Sequence, residues 1–449
     1  MRPQTIIDQK LGPLSAAERS TLLDDLAAGR PEALAWLEKI RRFVSLYGRR
    51  LSSEARSRFS SGANDHLTWM ARFLLEGCCR SPERGQAPLD SAMLNAALYC
   101  IDAAPSNTAL AAGVEQKVGE LQAWLLTVSP CQMRERALGT GFDYRGGLWQ
   151  QEAKAARPLV IVAPSPYSLP ALCVLAICLA LGLPVRGILI RAFSADRFMH
   201  EMRRDGSQRL AKKIWRKLIL RSDENAVNSS VSLAALAAAL TMDTPDIRVL
   251  AARHGITVMT VKDFGLAVDQ LRAMSPSLAI FTGGGLINQS VIDVFGLGIL
   301  NIHMGPLPQY KGMDVVQAPI LDGCFNSVGL TGHLMAAALD GGPVLSRYSI
   351  NSDAYAHLGQ LRNELSAVAP LMAIDTALGL FSGRLTPQVQ MPAGRQYYFI
   401  HHRLRDVIEI VLQERYERLR DDVMKDQVGP VVNAVLADFA GKQVQADAV

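Results

Sequence analysis

Asn301 and His303 stand two residues apart at the end of the apolar run Gly298–His303, and Asp340 follows a second run that carries His333. An amide, an imidazole and a carboxylate brought together can do one kind of work. The amide and a charged imidazole donate hydrogen bonds to an oxygen on which negative charge develops. A carboxylate beside the imidazole holds the ring, favours its charged form and makes the pair a proton acceptor and donor. Neither a metal nor a covalent intermediate is required. Each residue alone says little, because a His at a strand end is commonly structural and Asp340-Gly341-Gly342 is also ordinary turn chemistry.

The surrounding sequence has to place these groups together. Side chains alternate along a strand, so Asn301 and His303 point to the same side of Gly298–His303. Ser327–Met335 and Pro343–Ile350 read as two strands around Ala336–Gly342, with Asp340 near the tip of the turn. Leu278–Thr282 is another apolar strand. It runs into Gly283-Gly284-Gly285, where backbone can approach a ligand without side chains in the way, and Leu286 and Ile287 follow. Asn288–Phe295 reads as a short helix.

The same alternation extends upstream. Pro158–Ala163, the apolar segment Leu169–Val185 and Val185–Ile190 form a strand, helix, strand unit, and Ile247–His254, Gly255–Val261 and Gly265–Met274 continue the pattern. The fold class is therefore α/β with a mostly parallel sheet, whose sites lie at the C-terminal strand ends. The first loop, Pro164–Ser168, lacks GxGxxG, so no dinucleotide fingerprint is present. Downstream, Asp353 is placed to cap a helix running to about Leu380 and kinked or broken near Pro370. Residues 402–440 are again mostly helical.

Residues 1–145 read as all-helical, with a capping box at Ser15 and Glu18 and an apolar face on Leu37, Ile40, Phe43, Val44 and Tyr47. No acid, base and nucleophile recur there at a meaningful spacing. The chain of 449 residues is long enough for two or three domains, and no internal repeat or low-complexity tract is evident. The N-terminus has no secretory pattern, so a cytoplasmic location is expected. Leu169–Val185 is uncharged but short for a membrane span and reads better as a buried helix and strand. The seven cysteines include no CxxC pair and indicate neither a disulfide framework nor a zinc site. Net charge is +5, and ten Lys/Arg against three acidic residues between Arg191 and Arg221 account for it. That segment is open to three readings: a solvated amphipathic helix, a phosphate lid, or a surface for acidic lipid or nucleic acid.

The stretch NIHMGPLPQYKG, followed by GHLMAAALDGGPV, resembles the folate-dependent formyltransferases, the family of glycinamide-ribonucleotide, methionyl-tRNA and sugar N-formyltransferases. The family pattern is Asn-x-His, a loop ending Leu-Pro, and an Asp-x-Gly turn some forty residues after the Asn. The resemblance covers roughly residues 155–385. It implies a Rossmann-like core that binds formyl-tetrahydrofolate at the strand ends. By matching positions, Asn301 would hold the formyl oxygen, His303 would act as acid/base, and Asp340 would orient or charge that His. Gly284, Gly285, Leu286 and Ile287 would border the pterin, with His333 in support. The chain departs from the family in having Gly305-Pro306-Leu307-Pro308 where Ser-Leu-Leu-Pro is usual.

The expected organisation is a helical accessory domain over 1–145, a catalytic domain over 155–385 with a basic helical insert at 193–225, and a helical C-terminal extension over 386–449. The expected activity is transfer of formyl to a small amine, with the basic insert motivating an anionic acceptor such as a sugar nucleotide. The alternatives are hydrolysis of the formyl-folate at the same site and a non-catalytic binding or scaffold protein. No tRNA-binding β domain is recognisable at the C-terminus, so a nucleic-acid acceptor is not expected, and neither is a metal. The helical N-terminal segment is a place for a protein partner or self-association.

Overall fold

The computed structural model describes residues 7, 10–55, 61–79, 87–104, 107–130, 138–192, 232–240, 244–391, 394–423, 431–435 and 437–438. The basic insert at 193–225 lies outside the described residues.

The strands are β1 (Thr140–Gly141), β2 (Leu159–Ala163), β3 (Val185–Arg191), β4 (Thr257–Val261), β5 (Leu278–Phe281), β6 (Ile299–His303), β7 (Tyr310–Gly312), β8 (Val328–Leu334), β9 (Val344–Ile350) and β10 (Arg395–Tyr397). The N-terminal helices are α1 (Ala16–Ala27), α2 (Pro31–Ala55), α3 (Ser61–Cys78), α4 (Ser91–Ala103) and α5 (Thr108–Thr127). Helices α6 (Gly146–Ala153), α7 (Leu169–Ala180), α8 (Leu233–Ala239), α9 (Ile247–Arg253), α10 (Val268–Met274), α11 (Gln289–Ile292) and α12 (Ala318–Leu321) lie among the strands. Helices α13 (Leu358–Ser382) and α14 (His402–Val423) close the series.

Eight strands form one sheet in the order β1-β9-β8-β6-β5-β2-β3-β4. Every neighbour pair from β6 through β4 is parallel, and β8 runs antiparallel to both β6 and β9. The five residues of β2 are all buried, as a strand covered on both faces requires. Helix α7 begins at the Ser168 cap with Pro170 in its first turn and is apolar nearly all round. It returns the chain from β2 to β3, which makes Leu169–Val185 core rather than membrane. Among the described residues one helix, α13, is long and apolar enough to cross a membrane, yet 78% of its most apolar window is buried inside the protein.

Three expectations change. Asp353 does not cap α13, whose N-cap is His357, but sits in a short 3₁₀ turn with its carboxylate paired to the buried Arg415. Helix α13 is not broken at Pro370, which lies inside it. Cys324 is disulfide-bonded, where the cysteine pattern indicated no disulfide. In addition, the C-terminal extension opens with a strand, β10, which pairs in parallel with β7 directly after the Asn-x-His loop.

The helical N-terminal segment packs on the same hydrophobic core as the sheet. Asp90 caps α4 through the amides of Ala92 and Met93 and also pairs with Arg395 at 2.7 Å. Asn95 on α4 donates to the Phe399 carbonyl and accepts from the His401 amide. These links seat α4 against the segment that carries β10.

Candidate active site

Antiparallel pairing of β6 with β8 puts Asn301 opposite His333 and His303 opposite Thr331. The Asn301 Nδ2 donates to His333 Nε2 at 3.1 Å, and His333 Nδ1 donates to the Leu334 carbonyl at 3.0 Å. Both ring nitrogens of His333 are therefore engaged within the protein. Burial, then the neighbouring His303, pull its pKa down to about 4 despite the opposing attraction of Asp340, so His333 is neutral at pH 7. His333 thus sits between the Asn301 amide and its own strand.

His303 is also buried. Its Nε2 donates to the Tyr310 carbonyl at 2.8 Å, which fixes the ring and leaves Nδ1 3.7 Å from Asp340 Oδ2. The orienting hydrogen bond of His303 thus comes from backbone, and Asp340 stands within charge-pairing distance of the other nitrogen. Gly305 is needed beside it: a Cβ there would meet Val315 and approach His303 Nε2. The irregular loop is held by Thr331, whose Oγ1 donates to the Gly305 carbonyl at 2.8 Å and accepts from the Leu307 amide at 3.2 Å.

Asp340 lies in the turn between β8 and β9 with φ 49°, a left-handed conformation that Asp tolerates better than most residues. Its Oδ2 accepts from the Gly312 amide at 2.8 Å, and its Oδ1 is 3.9 Å from His333 Nε2. Gln390 holds the turn from outside, donating to the carbonyls of Asp340 and Gly342. The carboxylate is so brought between the two imidazoles, whose ring centroids are 6.3 Å apart.

Register places the glycine loop next to this group, since Phe281 at the end of β5 pairs with Asn301. Gly283, Gly284 and Gly285 have φ of 123°, 130° and 102°. The Gly284 carbonyl accepts from Arg191, whose guanidinium lies over Phe264. Leu286 is 80% exposed, while Ile287 packs on the core beneath the loop. Side-chain-free backbone followed by an exposed apolar side chain suits the edge and face of a flat heteroaromatic ring.

A second histidine group has a different character. The Arg403 amide donates to His401 Nδ1 at 3.3 Å, so Nε2 carries the proton and donates to Asp102 at 2.9 Å. The arrangement ties α4 to the start of α14. His357 lies 3.5 Å from Glu409 at the start of α13.

Asn301, His303 and Asp340, singled out in the sequence, are brought together in the structure. Sequence reasoning missed Tyr310, Gly312 and Gln390, which act through backbone groups or from 50 residues away. The Gly in Tyr-Lys-Gly was the one local signal, because Gly312 has φ 102°.

A family model described as formyl transferase matches residues 265–376. The chain is similar to methionyl-tRNA formyltransferase of Halorhodospira halophila, with 28% identity over 155 residues, 34% of this chain and 50% of that protein. It is similar to the methionyl-tRNA formyltransferase of Lachnospira eligens, with 31% identity over 157 residues, 34% of this chain and 49% of that protein. The chain spans about half the length of these curated relatives. Glycinamide ribonucleotide transformylase 1 from Symbiobacterium toebii aligns in structure with TM-score 0.35 and 15% identity, covering 59% of this chain and 99% of that one. Asn301, His303, His333 and Asp340 all fall inside the matched residues, and over 265–376 this chain carries a core of the formyl transferase family.

Proposed function

We propose that this protein transfers a formyl group from formyl-tetrahydrofolate to an amine. The observation that carries the reading is the convergence of Asn301, His303 and Asp340 at the end of β6 and the β8–β9 turn, inside the family segment. The amine nitrogen attacks the formyl carbon and makes a tetrahedral species with a negative oxygen. The second hydrogen of the Asn301 amide and a protonated Nδ1 of His303 donate to that oxygen. The ammonium proton of the attacking nitrogen passes to Asp340. The negative oxygen then re-forms the carbonyl and the carbon–nitrogen bond to the folate breaks as the folate nitrogen takes the proton held by Asp340, and formyl-amine and tetrahydrofolate leave.

The loop Gly284–Ile287 would border the pterin, its backbone groups meeting the ring edge and Leu286 the ring face. His333 holds the Asn301 amide. The helical segment 1–145 is proposed as an accessory unit to the catalytic segment 155–385, with 386–449 as its extension.

For the acceptor, the relatives carry the name methionyl-tRNA formyltransferase, which supports an aminoacyl-tRNA amine. A small amine remains the other class to screen. The test supplies formyl-tetrahydrofolate with amino sugars, amino acids, nucleotides and aminoacyl-tRNA, and reads product mass together with tetrahydrofolate release. Transfer requires amine-dependent release, lost by roughly 10²–10³-fold in Asn301→Ala and His303→Ala. Release without amine would assign hydrolysis instead. No turnover across the panel, with donor affinity unchanged in Asp340→Asn, would assign a binding role.

A further inference from the structure

Two residues beyond Gly312, whose amide holds the Asp340 carboxylate, the chain turns through Asp314 at φ 55°. Three arginines from three different helices converge on this carboxylate. Arg362 of α13 donates to Oδ1 at 3.1 Å, Arg405 of α14 donates to Oδ2 at 2.6 Å, and Arg49 of α2 lies 3.6 Å from Oδ2. The Ile400 amide completes the set at 3.4 Å, and the Arg49 guanidinium is stacked 3.6 Å from the Phe399 ring centre. Burial alone would raise the Asp314 pKa, but Arg405, Arg362 and Arg49 together outweigh it and hold the carboxyl below its ordinary value.

One carboxylate faces three guanidiniums, so the cluster is cationic. Among the described residues, the ion pairs of Arg49, Arg362 and Arg405 all run to Asp314. The Nε atoms of all three are buried and have no acceptor. A buried donor without an acceptor is costly, and a guanidinium is the side chain whose planar fork fits two oxygens of one anion. The cluster is not sealed: the side chains of Arg405 and Arg362 are 38% and 22% exposed. Asp314, which the cluster surrounds, follows Gly312 by two positions, at most roughly 7 Å between Cα atoms, and Gly312 is the residue whose amide holds Asp340.

We infer that Arg49, Arg362 and Arg405 form a subsite for a phosphate group of the amine acceptor. The inference rests on the formyl-transfer reading for the word acceptor, and on the arginine cluster alone for the word phosphate. An acceptor amine presented to His303 and Asp340 would then carry its phosphate against Asp314's arginines, with Asp314 as the counter-charge that holds the cluster together when no anion is bound.

The test uses the full chain and inorganic phosphate as probe, titrated by calorimetry at low ionic strength. Binding is expected to weaken by about tenfold in Arg405→Gln and to tighten several-fold in Asp314→Asn, where the competing carboxylate is neutralised. Opposite signs in the two variants separate a binding site from a structural clamp, which would lose stability in both without a change in phosphate affinity. No phosphate binding by the unaltered chain, or equal affinity in all three proteins, overturns the inference. Displacement of phosphate by an amino sugar phosphate assigns the site to a small acceptor, and displacement by short single-stranded RNA alone assigns it to a polynucleotide. In transfer assays, Arg405→Gln should lower the preference for a phosphorylated amine over its unphosphorylated counterpart by about tenfold through KM. Phosphate binding sensitive to both variants, with no transfer to any amine, leaves the subsite standing and overturns the formyl-transfer reading. Transfer with no such preference does the reverse.

Discussion

The side-chain amide of Asn301 donates to Nε2 of His333, and His333 donates from its other nitrogen to the backbone carbonyl of Leu334. The chain of donors runs one way only, because a neutral imidazole has one N–H and one lone pair. With Nδ1–H committed to the carbonyl, Nε2 must accept, and the Asn301 amide is held with its NH₂ group toward β8. A buried, neutral His is what sets the orientation of the group proposed to hold the formyl oxygen.

His333→Leu removes that acceptor and leaves the amide free to rotate. The rate constant kcat should fall by roughly tenfold to a hundredfold with little change in KM for the folate donor, since the lost interaction matters most when charge develops. His333→Gln, whose side-chain oxygen can accept from Asn301, should recover part of the loss. Steady-state kinetics of both variants check this. A rise in donor KM with kcat intact would place His333 in donor binding instead.

The same residue predicts a pH dependence of stability. Its pKa is pulled down to about 4 in the folded chain, by burial and then by His303, from an ordinary histidine value of 6.5. Between those values the unfolded chain binds a proton that the folded chain does not. Stability is then flat above pH 6.5 and falls as the pH is lowered from 6.5 toward 4, by roughly 3 kcal/mol from this group. Urea denaturation at pH 7 and pH 4.5 should show a larger loss for the unaltered chain than for His333→Gln. Equal losses would mean that His333 does not stay neutral on folding.

What was legible in the sequence was local. The alternation on β6 places Asn301 and His303 on one side, and Asp-Gly-Gly marks the turn that carries Asp340, so three polar groups of the candidate site could be named from short stretches. The partners that orient them could not. Tyr310 and Gly312 contribute backbone groups that carry no residue-type signal, and Gln390 reaches the turn from 50 residues downstream. Helix α4 falls inside the segment read as helical but has no bounds of its own in that reading, because it is buried on nearly every side and lacks the one-faced apolar period that marks a surface helix. Asp353 looked like a cap because its buried partner, Arg415, is 62 residues away. The resemblance supplied the roles, whereas local patterning supplied the positions.

Gly312 joins two of those hidden requirements. Its amide holds Asp340, and its φ of 102° together with the Tyr397 carbonyl beside it leaves no room for a Cβ. Gly312→Ala should destabilise the protein by about 1–3 kcal/mol and also lower kcat/KM, because β7 must move away from β10 and take the amide with it. Gly383→Ala is the control. It has φ 80° at the end of α13 with open space around it, so it should cost backbone strain without touching activity. Thermal denaturation and turnover measured on both variants decide the point, and a Gly312→Ala protein with full activity would remove the amide from the account of Asp340.

Arg415 carries the last consequence, which concerns how the C-terminal helix is bound to the rest. Its guanidinium makes two hydrogen bonds to Asp353 at 2.7 and 3.0 Å and donates to the carbonyls of Leu125 and Val128 at the end of α5. It also lies 3.7 Å from the Phe325 ring centre, and both charged side chains are almost wholly buried. One side chain thus joins α14, the 3₁₀ turn before α13 and the N-terminal helical segment. Arg415→Ala would strand the Asp353 carboxylate in the interior and leave two backbone acceptors unmet, at a cost of about 3–5 kcal/mol. Arg415→Met with Asp353→Leu removes both charges, keeps most of the volume, and should recover much of that loss. Denaturant midpoints for the single and double variants test it. If the double variant is no more stable than Arg415→Ala, the ties to Leu125 and Val128, and not the ion pair with Asp353, hold α14 in place.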